Sequence, residues 1–377
     1  MSPKRRVAIL GPAPPDRGGI ARETALLAGE LSDRAHVDVA WYTFARRYPR
    51  WLDPRRFDED PGLPPAAARR LLDYGSPGSW KRTAAAIASE NAEALLIPWW
   101  TAFWGLPYRA VMRRLTTLAP ATRRILLCHN VEDHEGGLTR RFFARGAFLA
   151  ADGFIAHSSE DRDRLARIRP EAPALLLPHP VRPGPAPRSE DARRRLGLPD
   201  GPLLLFLGLV RRYKGVELLL DAAPSIVRES GATIGVVGEV FPDARDLAKR
   251  ARLNPVANRI LWHDAYLPEE ELALWLAACD AVVLPYRAIS GSGIAARALA
   301  AERPMVAAAV GGLKETVVPG VTGELFAPGD AAGLAAATNT VLARGAAFYA
   351  PGLRAAAAAA SWPKYVDAIL EFVSLKR

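Results

Sequence analysis

The chain has 377 residues, half of them hydrophobic, which is enough for two domains of roughly 150–200 residues that each bury a core. Its two cysteines, Cys128 and Cys279, lie in apolar surroundings without metal-ligand spacing, which favours buried thiols in a reducing cytoplasm. The formal charge is +10. The apolar run Val7–Gly11 is too short for a signal peptide, and no run reaches the ~18 apolar residues of a spanning helix. We therefore expect a protein that is soluble or peripheral at a membrane.

The first half of the chain alternates strands and helices. Strands are predicted at Val7–Gly11, Val37–Tyr42, Ala94–Pro98, Arg124–Cys128, Gly153–His157 and Leu175–Leu177. Helices are predicted at Ile20–Leu31, Arg82–Ala94 and Leu138–Ala150. Gly18 and Gly19 join the first strand to the first helix, as at the start of a Rossmann-like unit. The loop lacks the G-x-G-x-x-G pattern, and a tight turn that simply needs glycine is as compatible with it as a ligand-binding loop.

Three stretches of the first half are candidates for function. The connector Phe44–Pro64 is long and rich in Arg, Pro and aromatic residues, so it is a candidate acceptor or membrane-surface loop. Four aromatic residues follow the third strand and belong either to a sugar-binding cleft or to the core: Trp99, Trp100, Phe103 and Trp104. His129 ends the fourth strand at the ligand-binding edge of a parallel sheet, and His134 and Glu135 follow it without metal-site spacing.

The proline-rich stretch Val181–Pro202 has no apolar periodicity and predicts an interdomain linker with one short helix. Strands are then predicted at Leu203–Leu207, Thr233–Val237, Arg259–Trp262, Ala281–Leu284 and Pro304–Ala308. Helices are predicted at Val216–Ser230, Ala244–Ala251, Glu269–Cys279, Ile294–Ala301, Leu313–Val317, Asp330–Ala343 and Ala355–Leu375. This alternation predicts a parallel sheet with helices on both faces. The predicted boundaries are an N-terminal domain at 1–183, a linker at 184–200, a C-terminal domain at 201–354 and a final helix at 355–377.

Two junctions of the second half have the form strand, loop, helix. Gly208, Arg211 and Lys214 follow the strand Leu203–Leu207, and Ser292-Gly293 follow the strand Ala281–Leu284. Amides and the positive end of a helix meet at such a junction, and Arg and Lys pair with phosphate oxygens. Together with a Gly311-Gly312 turn and Glu315, these junctions predict a diphosphate-binding site.

The same residues carry a resemblance to a known family. The pattern G-x-x-R-x-Y-K-G-x-x-x-L-L-x-A runs from Gly208 to Ala222, and S-G-(x)10-P-(x)6-G-G-L-x-E runs from Ser292 to Glu315. Both resemble the donor-binding half of the retaining GT-B glycosyltransferases of family 4. The resemblance implies an α/β fold of two Rossmann-like, doubly wound parallel-sheet domains that face a cleft, with a C-terminal helix that crosses back to the first domain.

The resemblance also implies roles for single residues. His129 would lie close to the sugar and its reacting carbon, and Arg211 and Lys214 would hold the β-phosphate of a nucleotide diphosphate. The donor-binding residues implied by the family are Gly18, Gly19, Gly208, Glu239, Ser292, Gly293, Gly312 and Glu315. No Asp-x-Asp motif occurs in a suitable strand-end setting, so neither a metal nor another cofactor is expected, and the nucleotide sugar is the donor substrate.

The chain departs from the family at two positions. Most family 4 members carry two glutamates, eight positions apart, that contact the hydroxyls of the donor's sugar and ribose. Ile289 and Arg297 occupy these positions here. Because both carboxylates are missing, the identity of the sugar and the presence of activity are open. Arg297 would face an anionic group or solvent.

Three functions remain to be compared. The first is a retaining transferase that moves a sugar to a hydroxyl, with a glycan or lipid-linked acceptor and envelope polysaccharide synthesis as the family's usual setting. The second is a catalytically silent protein that binds sugar nucleotides or glycans, which the missing glutamates favour. The third is a nucleotide-sugar epimerase, for which no carboxylate acid or base is evident.

The excess positive charge lies in the first part of the chain. Residues 1–200 contain 32 Lys and Arg against 23 Asp and Glu, whereas the remainder contains 18 against 17. This excess is either a solvated surface or a means of attracting anionic lipid headgroups at the inner membrane face. Nucleic acid is not expected as a partner, because no helix-turn-helix, finger or RNA-binding signature occurs.

Overall fold

The computed structural model describes residues 4–49, 59–60, 65–131, 138–182 and 189–374. The chain divides into two compact units. Unit 1 consists of Met1–Leu177 and Trp362–Arg377, and unit 2 consists of Pro178–Ser361. Unit 2 is therefore one continuous stretch, whereas unit 1 is built from two separate stretches of the chain.

Unit 1 is built on a seven-stranded sheet in the order β3-β2-β1-β4-β5-β6-β7, and every described strand pairing in it is parallel. The strands are β1 Arg5–Leu10, β2 Val37–Arg46, β3 Arg69–Asp73, β4 Ala94–Trp99, β5 Arg123–Cys128, β6 Gly153–Ala156 and β7 Ala174–Leu176. The central strands are continuous apolar runs, as expected for a parallel sheet that is covered on both faces. All six residues of β4 and of β5 are buried.

Helices cover both faces of the unit 1 sheet. They are α1 Gly19–Ser32, α2 Pro77–Ser89, α3 Gly105–Leu118, α4 Leu138–Phe148, α5 Ser159–Ile168 and, from the end of the chain, α14 Trp362–Ser374. The apolar stripe of α14 joins the side chains of β1, β4, β5 and α1 in one core cluster. Arg123 at the start of β5 fixes this helix, because its guanidinium donates a hydrogen bond of 3.0 Å to the Val373 carbonyl. The helix is therefore an integral part of unit 1.

Unit 2 is built on a six-stranded sheet in the order β10-β9-β8-β11-β12-β13, again with parallel pairing throughout the described strands. The strands are β8 Leu203–Leu207, β9 Thr233–Val237, β10 Ile260–His263, β11 Ala281–Leu284, β12 Met305–Ala308 and β13 Gly323–Phe326. The helices are α6 Ser189–Arg195, α7 Val216–Ser230, α8 Asp246–Arg252, α9 Glu269–Ala278, α10 Gly293–Ala300, α11 Leu313–Thr316, α12 Ala331–Arg344 and α13 Ala346–Ala359. The strand order reverses between β8 and β11, which are adjacent, and such a switch point is where doubly wound sheets bind ligands.

The sequence-based fold class is confirmed: the chain contains two Rossmann-like parallel-sheet units, and its last helix returns to the first of them. The expected final helix at 355–377 is instead two helices, α13 in unit 2 and α14 in unit 1, with the change of unit at Ser361–Trp362. Four elements that the patterns did not predict are β3, β13, α3 and α5. Residues 183–188 of the expected linker and most of the connector at 44–64 lie outside the described residues.

The aromatic residues at the end of β4 and directly after it pack mostly in the core. Trp99 and Trp104 are buried, and the ring of Phe44 stacks on Trp104 at 4.1 Å between centroids. Trp100 and Phe103 pack against the same cluster and are partly buried. The core interpretation of these residues therefore holds, and the sugar-cleft interpretation has no support from their burial. Both cysteines are buried free thiols, and burial raises the pKa of Cys279 to about 12.

No helix in the described part of the chain combines the length and the apolar composition that crossing a membrane requires.

Candidate functional site

Two loops meet at the switch point of the unit 2 sheet. Loop A, residues 208–215, joins β8 to α7, and loop B, residues 285–293, joins β11 to α10. Gly215 has a left-handed backbone with φ of 68°, and a Cβ placed there would lie 1.9 Å from the carbonyl oxygen of Pro285. Only glycine allows this approach, because any side chain would push the two loops apart.

Arg211 lies in loop A against aromatic rings and a carboxylate. Its guanidinium carbon is 4.8 Å from the ring centroid of Phe241, and its Nε is 3.7 Å from a carboxylate oxygen of Asp243. The side chain is mostly covered, with 19% of its surface exposed. Packing on rings and a nearby carboxylate restrict the guanidinium before any ligand binds, which reduces the entropy lost on binding.

Lys214 lies at the end of the same loop. Its ammonium nitrogen is 3.8 Å from the ring centroid of Tyr286 and 5.2 Å from that of Tyr213. Burial lowers the pKa of Lys214, and the Tyr213 side chain partly opposes this shift. Arg211 also faces Tyr213, at 6.0 Å from the ring centroid, so both cations lie beside one aromatic side chain. Both cations of loop A therefore lie against aromatic rings, and Arg211 also lies beside the Asp243 carboxylate.

Ser292 and Gly293 lie at the end of loop B, where α10 begins. The Ser292 hydroxyl accepts a hydrogen bond of 3.3 Å from the Ala295 N–H, which is an N-cap, and the side chain is buried. Burial raises the pKa of Tyr286 well above its usual range, and the Ser292 hydroxyl acts in the opposite direction. The N–H groups of the first turn of α10 and the positive end of its dipole suit an anion.

Three of the remaining predicted residues of unit 2, Gly208, Glu239 and Gly312, hold the loops in place through backbone hydrogen bonds. Gly208 has φ of 109°, and its N–H donates to the Val237 carbonyl at 3.0 Å. The carbonyl oxygen of Glu239 accepts a hydrogen bond of 2.9 Å from Val210, which ties loop A to the end of β9. The Gly312 N–H donates to the Ser290 carbonyl at 2.9 Å, so the glycine turn after β12 supports loop B. Glu315 is exposed on the short helix α11 that follows this turn.

In unit 1, Gly18 and Gly19 begin α1 at the carboxyl edge of the sheet. Gly18 has φ of 126°, which no other residue adopts readily, and nothing lies within 4 Å of a Cβ built on either glycine. His129 follows β5 at the same edge, and its side chain is buried. The backbone N–H of His129 donates a hydrogen bond of 2.8 Å to the Trp99 carbonyl. His134 and Glu135 lie outside the described residues.

Two residues near His129 were not singled out in the sequence. The carboxylate of Glu23, on α1, lies 3.7 Å from His129 Nδ1. The ring of His157, which directly follows β6, lies 5.1 Å from that of His129 between centroids. The sequence predicts His157 as the last residue of the strand Gly153–His157, whereas β6 ends at Ala156 in the structure. Its place one step beyond the strand, matching that of His129, was a signal that could have been used.

Comparisons with known proteins agree with this architecture. The family model "Glycosyl transferases group 1" matches residues 201–344, which include both loops. The chain is 34% identical over 241 residues to D-inositol 3-phosphate glycosyltransferase 1 of Catenulispora acidiphila, covering 59% of this chain and 56% of that protein. It is 31% identical over 284 residues to the D-inositol 3-phosphate glycosyltransferase of Xylanimonas cellulosilytica, covering 71% of this chain and 66% of that protein. The matched region thus spans between about half and two thirds of each relative.

Solved structures show the same fold along nearly the whole chain. Sucrose-phosphate synthase from Thermosynechococcus elongatus has a TM-score of 0.77 at 20% identity, with 98% of each chain covered. Anabaena Alr3699/HepE in complex with UDP has a TM-score of 0.76 at 16% identity, with 98% of this chain and 99% of that chain covered. The chain has the GT-B fold, and its residues 201–344 belong to the Glycosyl transferases group 1 family.

The structure shows the surroundings of the two positions at which this chain departs from most of family 4. Ile289 is partly buried against the core, and its carbonyl oxygen lies 1.6 Å from where a Cβ on Gly311 would be. Arg297 pairs with Glu269 of α9, with one guanidinium nitrogen 2.9 Å from a carboxylate oxygen. Arg297 therefore faces a carboxylate of its own unit.

Proposed function

We propose that this protein is a glycosyltransferase that moves a sugar from a nucleotide diphosphate donor to a hydroxyl group. The observation that carries the proposal is that two cations of loop A, Arg211 and Lys214, both lie beside the ring of Tyr213. Loop A also packs, through Gly215, against loop B at the switch point of the sheet. A diphosphate fits this arrangement better than a neutral ligand, because the first-turn amides of α10 add donors without adding a counter-charge.

In this mechanism the two cations act on the leaving group. Cleavage of the glycosidic bond leaves negative charge on the β-phosphate, and fixed positive groups stabilise that charge more in the transition state than in the bound donor. Lys214 is suited to this task, because its charge is poorly solvated before the donor binds, and a phosphate oxygen would place a negative charge beside it. We expect Arg211 to pair with a second oxygen of the same group.

The finer features of the reaction come from the resemblance. We propose retention at the anomeric carbon, with His129 of unit 1 positioning the sugar and with Gly18 and Gly19 leaving the backbone open to a ligand. We propose that transfer needs no metal, since the cations and helix amides supply the charge that a metal would otherwise provide.

The choice of donor and acceptor rests on relatives. Alr3699/HepE was solved with UDP and with UDP-glucose, which makes a UDP-sugar the first donor to test. The names of the curated relatives give D-inositol 3-phosphate as an acceptor, so a phosphorylated polyol is a candidate beside the lipid-linked or envelope glycan that the family setting suggests.

A surface pocket of unit 1 favours an anionic partner. It has a volume of about 460 Å³ and lies on α2 and α3. Its lining includes Trp80, Lys81, Arg113, Arg114 and Leu118. A ring of cations around apolar side chains suits a lipid headgroup with the start of its acyl chains. We propose this pocket as the point where the protein contacts an anionic membrane or a lipid-linked acceptor.

A silent GT-B protein that binds a sugar nucleotide is the second candidate. It is favoured by Ile289 and by the Arg297–Glu269 pair, which leave both family carboxylate positions without an acid toward the donor. The epimerase alternative has no such observation in its favour.

The test is a screen of UDP-, GDP-, ADP- and dTDP-sugars for nucleotide release, with and without inositol phosphate, glycan and lipid-linked acceptors. Lys214→Met and Arg211→Met should each lower turnover by about 10²–10³-fold, the usual cost of removing one preorganised donor to a developing charge. Arg228→Met, on the exposed end of α7, is the control and should retain full turnover. A protein that binds a sugar nucleotide but releases no nucleotide with any acceptor is the silent binder, and one that binds none refutes both candidates.

A further inference from the structure

The carboxyl edge of the unit 1 sheet holds a compact group of metal-ligating side chains. The ligand atoms of Glu23, His129 and His157 all lie within 4.8 Å of one another, and Glu23 Oε2 is 3.7 Å from His129 Nδ1. The two histidines directly follow β5 and β6, which pair through Cys128 and Ala156. The neighbouring strands therefore fix the spacing of the two rings, and α1 supplies the carboxylate.

A backbone contact sets which nitrogen of His157 can act as a ligand. His157 Nδ1 lies 2.9 Å from the carbonyl oxygen of Leu177. Because a carbonyl oxygen only accepts, Nδ1 carries the proton, and the lone pair of the neutral ring is on Nε2. Histidines that bind metals commonly donate their second N–H to a backbone carbonyl in this way, which orients the ring and fixes the tautomer.

We infer that Glu23, His129 and His157 form a binding site for a divalent transition-metal ion, with Zn²⁺ as the best fit. Two imidazoles and one carboxylate are a set that zinc accepts. Ca²⁺ and Mg²⁺ prefer all-oxygen sites and fit poorly. Tetrahedral ligands around Zn²⁺ lie ~3.3 Å apart, so the three side chains need to close by roughly 0.4–1.5 Å.

The local surroundings support such a closure. Both histidines are buried, whereas the Glu23 side chain keeps 22% of its surface exposed, so the carboxylate lies on the open side of the group. The ring of Tyr365, from α14, lies nearly parallel to that of His157 at 6.3 Å between centroids. The buried rings give the site its rigid part, and the helix-borne carboxylate can move to complete it.

Metal binding here would oppose glycosyl transfer. This step rests on the proposed function, in which His129 faces the sugar. A metal bound to His129 removes its lone pair from any sugar hydroxyl, so Zn²⁺ should act as a reversible inhibitor that a chelator removes. The metal is thus a regulator of the reaction, and the metal-free protein is the active form.

The test measures metal binding without any donor or acceptor. The full chain is freed of metal with a chelator and titrated with Zn²⁺ against a chromophoric competitor, and Co²⁺ is used in parallel to report coordination by its visible spectrum. We expect one ion per chain and a tetrahedral Co²⁺ spectrum. Glu23→Gln and His157→Gln should each weaken binding at least ~10-fold, as even the loss of an outer-sphere partner costs 10–100-fold.

His263→Gln is the matched control. Its Nε2 lies 3.5 Å from a carboxylate oxygen of Glu271, so this residue is also a histidine beside a glutamate, but on the surface of unit 2. The proposed site is overturned if the affinity for Zn²⁺ is unchanged in Glu23→Gln and in a folded His157→Gln. It is also overturned if His263→Gln loses as much affinity for Zn²⁺ as these two variants. Glu23 is on the surface of α1 and its amide is isosteric, so this variant should fold even if His157→Gln does not. A protein that transfers sugar but binds no Zn²⁺ refutes this inference alone, and one that binds Zn²⁺ but transfers nothing refutes the proposed function alone.

Discussion

Substituting Gly215 tests whether loop A must lie against loop B. A Cβ at this position would be 1.9 Å from the Pro285 carbonyl oxygen, and real Cβ atoms do not approach closer than 3.0 Å, so Gly215→Ala must separate the two by at least about 1 Å. The left-handed backbone costs alanine about 1 kcal/mol, and the forced shift adds about 1–3 kcal/mol of strain. A misplacement of about 1 Å in a positioning group can cost about 10²-fold in rate. We therefore expect kcat/KM to fall by that factor.

Gly231→Ala is the matched control for this substitution. Gly231 ends the same helix, α7, with φ of 65°, but nothing lies within 4 Å of its Cβ position. It should lose about 1 kcal/mol of unfolding free energy and no activity. Activity is measured as nucleotide release, and stability is measured by urea unfolding. The reasoning is refuted if Gly215→Ala keeps its kcat/KM within twofold, or if both variants lose the same stability.

Three further outcomes follow from the structure. Because burial lowers the pKa of Lys214, the unfolded chain binds more protons than the folded chain at pH values between the folded-state and unfolded-state pKa of this lysine. The unsubstituted protein should therefore gain stability as the pH rises through this range, and Lys214→Met should remove that gain, which unfolding measured against pH would show. The KM of the unsubstituted protein for the donor should rise over the same range, which initial rates measured against pH would show. Arg124 donates a hydrogen bond of 2.5 Å from Nε to the Asp152 carboxylate, and the pair is nearly buried. Arg124→Met should therefore lower the free energy of unfolding in urea by about 3–5 kcal/mol. A decrease below about 1 kcal/mol would show that the pair is solvated. Reversing the charges of Lys81, Arg113 and Arg114 in the α2–α3 pocket should abolish sedimentation of the protein with vesicles of anionic lipid, whereas nucleotide release in solution should persist. Unchanged sedimentation would contradict the membrane role.

The buried strands of both units could be predicted because each is a short, largely apolar run. Leu203–Leu207 and Ala281–Leu284 were predicted with the bounds that the structure has. The edge strands β3 and β13 were missed, since an edge strand needs fewer apolar residues and β3 is largely charged. The helix α3 was missed because it begins with glycine and carries Pro107 in its first turn, where proline is tolerated.

The unit 2 loops were visible in the sequence because their residues are close together along the chain. The neighbours of His129 could not be identified from the sequence, because they depend on the order of the strands in the sheet. Glu23 follows β1, His129 follows β5 and His157 follows β6, and only the order β1-β4-β5-β6 brings their side chains to one edge. Sequence spacing carries no information about that order. The partners of Arg297 and Lys214 were likewise hidden, since Glu269 and Tyr286 come from other elements.

The return of α14 to unit 1 has a consequence for how the chain reaches its native state. Val7, Ile125 and Ile155 share a core cluster with Ile369 and Phe372, which are synthesised more than 200 residues after Ile155. On the ribosome, that face of the first sheet is exposed until residues 362–374 have been made, whereas residues 178–361 form one uninterrupted folding unit. Premature termination near residue 361 would therefore damage the first-made unit, and separate expression of that unit requires residues 1–177 to be linked to 362–374.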